Sequence, residues 1–256
     1  MEPWWKNYHV AQEQAGVWHV GCLSLSIEHY LKEWRMGYQY GKTVQEWYHE
    51  ITPPQSHQYE FMQRVVFSKA NNTIQLNPCV ADRAIIIRPE TAFMLPKKEE
   101  IVFYVSTPLW LRVSMDQAKE YLLDLATQRL TDTWFGLNET EGELCYASKS
   151  KARTELTPAS HKHNHAVTAV KIINNAKSSL HLERIKLPVP LFSLYFDQNK
   201  WVWTESVVLT REEDARATLK IDKGPPREAV GCDKIAASRE VVEENILVRT
   251  INSLFR

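Results

Sequence analysis

No CxxC pair occurs in this sequence. Its four cysteines, Cys22, Cys79, Cys145 and Cys232, stand singly, so neither a zinc ribbon nor a dithiol redox motif is written here, and free structural thiols are expected. Eight glycines are dispersed over 256 residues and never gather. That leaves out the Gly-rich loops that cradle phosphates and the G-x-S-x-G nucleophile elbow. An excess charge of either sign is missing too: Lys plus Arg equals Asp plus Glu at 31 each. No net field draws the whole molecule toward nucleic acid or an anionic membrane, and no nucleic-acid partner is expected. No apolar stretch approaches the roughly 18 residues of a membrane span, and "MEPWWKNYHVAQEQAG" lacks the basic head and apolar run of a secretory signal. The expectation is therefore a cytoplasmic protein without direct membrane insertion, in which the Asn-x-Thr patterns at Asn71 and Asn138 carry no glycan.

What is present is a series of short β-favouring runs broken by turn residues. "RVVFS", "RAIIIRPE", "EEIVFYVS", "LWLRVS", "AVTAVKII", "LFSLYF", "WVWTESVVLT" and "ATLKI" follow one another along the chain. The connectors "KANNT", "LPKKE", "INNAKSS" and "FDQNKW" carry the Asn, Lys, Pro and Ser of hairpin tips. Such spacing predicts a mainly β protein of two antiparallel immunoglobulin-like sandwich lobes with few or no helices. Pro158, in a polar stretch, marks the expected boundary: residues 1–156 as an N-terminal β lobe that includes an aromatic-rich hairpin region, and 157–256 as a C-terminal sandwich. Two stretches keep a helical alternative open. Ser114 and Gln117 have capping-box spacing ahead of Ala118, Leu122 and Leu125, and residues 237–256 contain good helix formers.

Several groups have residue types that carry chemistry. His161, His163 and His165 alternate in "HKHNH"; in an extended strand they would share a face at about 6.6 Å intervals, too far for all three to hold one ion. A solvated polar linker explains them as well, and no metal or other cofactor is expected. Trp201 and Trp203 would share one face of a strand, as a stacking platform or as core. Cys145 with a distant histidine would make a nucleophile and base, but four cysteines and nine histidines permit that pairing in any chain. The densest mixture of charge and aromatic residues lies in "TQRLTDTWFGLNETEGELCYASKSKART", residues 127–154. Two readings stand there. Asp132 caps an Asx-type turn while Trp134 and Phe135 anchor a corner. In the other, Arg129, Asp132, Trp134, Glu143 and Arg153 converge as a ligand-binding site. Glu141 and Glu143 add a paired-carboxylate hydrolase alternative.

"RLTDTWFG", "GELCYA", "IRPETAF", "FYVSTPLW" and "LERIKLPVPLFSLY" resemble the prokaryotic family known as domain of unknown function 432, from about residue 60 onward. The resemblance implies an archaeal or bacterial protein with members accompanying mechanosensitive-type channels, and it supplies no catalytic residues. It also implies that "EYLLDLAT" is a strand. The sequence reading is a protein-interaction or accessory module, with a protein partner that the family resemblance makes membrane-associated, in preference to a catalyst. The alternative is a small-molecule or carbohydrate binder, or a hydrolase, using the acidic and aromatic loop 127–154.

Overall fold

The computed structural model describes residues 2–54, 59, 61–67, 72–115, 120–136, 142–157, 161–213, 216–241 and 246–250. In chain order the strands are β1 Asn7–His9, β2 Gln14–His29, β3 Glu33–Thr52, β4 Phe61–Val66, β5 Thr73–Cys79, β6 Ile85–Pro89 and β7 Phe93–Leu95. There follow β8 Glu100–Pro108, β9 Trp110–Ser114, β10 Leu123–Ala126, β11 Thr131–Gly136, β12 Gly142–Ser150, β13 His165–Asn174 and β14 Leu180–Leu182. The last are β15 Ile185–Leu187, β16 Leu194–Phe196, β17 Val202–Trp203, β18 Val207–Glu213, β19 Arg216–Ile221, β20 Asp233–Ala236 and β21 Ile246–Thr250. Among the described residues the only helical turns are two short 3-10 segments, Val189–Leu191 and Arg227–Ala229. The chain is mainly β, as its alternating runs predict.

Two compact units divide it, and neither is continuous in sequence. One comprises Met1–Cys79 and Pro108–Arg129, the other Val80–Thr107 and Leu130–Arg256. The expected cut between residues 156 and 157 does not coincide with this division. The reason is long-range pairing: β6 lies between β12 and β15, and β8 pairs with β13.

The first unit is built on the β2–β3 hairpin, in which Ala15 pairs with Thr52 at one end and His29 with Trp34 at the other. The aromatic-rich hairpin region expected in the N-terminal lobe is thus one long hairpin, with "GVWHVGCLSLSIEH" and "EWRMGYQYG" on its two facing strands. Register shifts flank Gly21, whose φ is +65°. The extra residue of a bulge reverses which side chains face inward. On β2 the buried series accordingly passes from Trp18 and Val20 to Leu23, Leu25 and Ile27. A second sheet, β1-β5-β9-β10, completes this unit. In it Leu123 and Leu125 alternate with exposed Asp124 along β10, which pairs with β9. Period two and pairing decide against the helical alternative over β10; Gln117 of the capping box and Ala118 of the supposed helical face lie outside the described residues.

In the second unit β13 is central, flanked by β17 and β18, and buried along most of its length. A strand covered on both faces reads as a continuous apolar run, as "AVTAVKII" does. The expected purely antiparallel sheets are broken at three places, since β12 runs parallel to β6 and β13 parallel to both β17 and β18. The helical alternative near the C-terminus gives way to β21, paired antiparallel with β19; residues 242–245 and 251–256 lie outside the described set.

Candidate functional site

The charged and aromatic stretch singled out by sequence is a β-hairpin at the edge of the sheet β11-β12-β6-β15. Asp132 stands opposite Tyr146, Trp134 opposite Leu144, and Phe135 opposite Glu143, with no irregularity in register. Successive side chains on a strand point to opposite faces, so this register divides the hairpin into two chemically different surfaces.

One face carries Asp132, Trp134, Leu144 and Tyr146. Trp134 and Leu144 are a directly opposed pair, 47% and 45% exposed. Gly142 lies against the Trp134 indole: a Cβ there would sit 2.6 Å from Nε1. Beside them runs a polar chain. Arg83 Nη1 is 3.2 Å from Asp132 Oδ1, the Arg83 guanidinium lies 5.2 Å from the centre of the Tyr146 ring, and Tyr146 donates to Asp82 Oδ1 at 2.9 Å. Burial, together with the Asp82 carboxylate, pushes the Tyr146 hydroxyl up to about 12. It stays a neutral donor at physiological pH.

The other face is closed around Phe135, Cys145 and Ile86, all buried. Lys186 Nζ pairs with Glu143 Oε1 at 2.5 Å, and both Lys186 and Arg184 lie over the Phe135 ring. Cys145 Sγ donates to Glu143 Oε1 at 3.4 Å. Burial, then the Glu143 charge, pushes the Cys145 thiol up to about 12. A thiol so held is not the thiolate that a nucleophile requires, which removes the Cys145 alternative.

The register of the hairpin divides the residues expected to converge. Asp132 and Trp134 share a face, while Glu143 points to the opposite side of the same sheet. Arg129 belongs to the other compact unit and lies over the Tyr40 ring at 5.2 Å. Arg153 is placed by an isolated bridge to Tyr104, whose N–H donates to the Arg153 carbonyl at 2.8 Å. Glu141, like Asn71 and Asn138, lies outside the described residues. Asp132 is a strand residue ion-paired across the sheet and not the cap of an Asx turn.

Arg83, Asp82 and Leu144 complete the exposed face and were not singled out from sequence. Arg83 precedes β6, and only the parallel pairing of β6 with β12 brings it to Tyr146. The histidines are divided as well. Among the described residues no group of three or more His, Cys, Asp or Glu could hold a metal ion; His165 is buried on β13 while His161 and His163 precede the strand. Burial pushes the His165 imidazole down to about 3, so it is neutral. No helix of the described residues is long and apolar enough to cross a membrane.

Comparison with known proteins agrees with the sequence resemblance and extends it over the N-terminal hairpin. No curated protein and no solved structure matches the chain. A family model described as "Protein of unknown function (DUF432)" matches residues 4–256, and with essentially its whole length covered the chain belongs to that family.

Proposed function

We propose that this chain is a protein-interaction module that docks a partner on the outer face of the β11–β12 hairpin. The carrying observation is the exposed, directly opposed pair Trp134 and Leu144 on an edge hairpin. A Trp buried at an interface is among the strongest anchors known. β11 stands at the end of its sheet, the position at which an incoming strand adds to a sheet. The ion-paired Arg83 and Asp132 form a polar rim beside the apolar pair, which is the layout of a docking patch. In this reading the protein acts in the cytoplasm and its partner is membrane-associated. Its sheets present edges in the manner of an immunoglobulin-like sandwich. The ligand-pocket alternative draws less support, because Glu143 is turned away from Trp134.

The test is photocrosslinking in the native cell with a photoreactive residue in place of Leu144. A discrete adduct with one protein is expected, lost in Trp134→Ala and retained in a control altered at exposed Met94. Absence of any adduct, or an adduct indifferent to Trp134, would overturn the assignment.

A further inference from the structure

We propose that His161 and His163 form a surface site for one dication of the zinc, nickel or copper class. The site is separate from the β11–β12 face and does not depend on its function.

The chain turns immediately before β13, where the His165 N–H donates to the Lys162 carbonyl at 3.2 Å. The turn replaces the strand spacing expected from "HKHNH" and brings the His161 and His163 ring centres to 4.8 Å, with planes at 88°. Two imidazoles that each hold one ion through a nitrogen at about 2.0 to 2.1 Å have ring centres about 5 Å apart. Perpendicular rings can both aim a nitrogen at a common point, which stacked rings cannot.

The tautomer of His161 is set by its neighbour. Its Nε2 lies 2.8 Å from the Lys200 carbonyl oxygen. A carbonyl only accepts, so Nε2 carries the proton and Nδ1 keeps its lone pair in the neutral ring. A ring N–H given to a backbone carbonyl is the support that orients metal-bound histidines. That carbonyl is itself held in place. It belongs to the tip joining β16 to β17, where Lys200 has φ +67° and donates to the Asp197 carbonyl at 3.0 Å. Asp197 further accepts from Trp201 N at 2.8 Å and from Trp203 Nε1 at 2.9 Å. The Trp201 ring, 5.1 Å from His161, forms a wall beside the pair.

The donor set selects the ion. Two neutral imidazoles suit zinc, nickel or copper, whereas magnesium and calcium require oxygen ligands. Water completes the coordination, in keeping with the absence of a larger ligand cluster among the described residues. Lys162, between the two histidines, is exposed, and solvent screens its charge. A bound ion would fasten the turn before β13 to the β16–β17 tip.

The test is calorimetric titration of Zn²⁺ into the full chain carrying no histidine tag. One equivalent is expected to bind, weakened at least tenfold in His161→Ala and in His163→Gln. His181→Ala, altered on exposed β14, should bind as the parent does, and excess Mg²⁺ should not displace the ion. Circular dichroism identifies any variant that fails to fold, and nitrogen-15 spectra of the folded parent then decide independently: Nδ1 of His161 should shift on adding Zn²⁺ while its Nε2–H persists. Failure of the parent to bind, binding as tight as the parent's in either site variant, displacement by Mg²⁺, or unchanged His161 resonances each refutes the site.

Discussion

Asp132 illustrates how little a charged residue's prominence in sequence says about its energetic weight. It is 62% exposed as a side chain and paired with Arg83, itself 37% exposed. Exposed ion pairs contribute about 0 to 1 kcal/mol after solvent screening. Asp132→Ala should therefore lower stability by less than about 1 kcal/mol, with a small shift in the thermal midpoint. A large drop would mean that the carboxylate pins the hairpin after all. Trp34 is the opposite case: it is buried, pairs with His29 across the β2–β3 hairpin and stacks on its ring at 3.9 Å. Trp34→Ala should cost about 3 to 5 kcal/mol in denaturant unfolding. His165 provides a pH signature. Its folded pKa, about 3, lies below the roughly 6.5 of an unfolded histidine. The unfolded chain therefore takes up the proton first. Its contribution to stability is full above the unfolded pKa and declines as pH falls toward the folded value, with a limiting slope of about 1.4 kcal/mol per pH unit. The stability difference between neutral and mildly acidic buffer should shrink in His165→Gln, whatever that substitution does to stability at neutral pH.

At the scale of elements, Gly142 decides where Trp134 can lie. Any Cβ at this position would meet the indole and, at 2.9 Å, the Phe135 carbonyl oxygen. The backbone oxygen cannot swing aside as a side chain can. Gly142→Ala should displace Trp134 and distort the hairpin, seen as a changed tryptophan emission and a weakened crosslink at the docking face. Retained emission and full crosslinking would show that the hairpin adjusts without moving the ring. Gly21 has a different role, since its φ of +65° permits the bulge at which β2 reverses its buried face. A β-branched side chain is strained in that conformation.

For the molecule as a whole, the discontinuous units predict how the chain tolerates cutting. A fragment of residues 1–156 retains β6 but loses β15, and retains β8 but loses β13. These strands would be left with unpaired backbone and exposed Ile85, Ile86 and Ile87, all fully buried in the intact chain. The fragment should lack a cooperative unfolding transition for the residue 80–107 region in hydrogen exchange, while β2 and β3 keep protection. Uniform native protection across the fragment would favour the boundary near residue 157.

Sequence by itself determined the class of the molecule. The unbroken run of β13 and the Lys200 hairpin tip are local signals, whereas the strand at Leu123 and Leu125 is implied by the family resemblance alone, the local pattern there being that of a helical face. Strand period and turn chemistry act over a few residues, so they can be read directly. The pairing in "TDTWFG" and "GELCYA" lies within that range, but the partition of its faces does not show until register is known. A shift of one residue exchanges every side chain between the two sides. Only the tertiary structure could set Arg83 beside Asp132, turn Glu143 away from Trp134, carry β6 between β12 and β15, and bring His161 to the Lys200 carbonyl. Those relations join residues distant in sequence, and the chain selects them by burying a shared core, which no local spacing encodes.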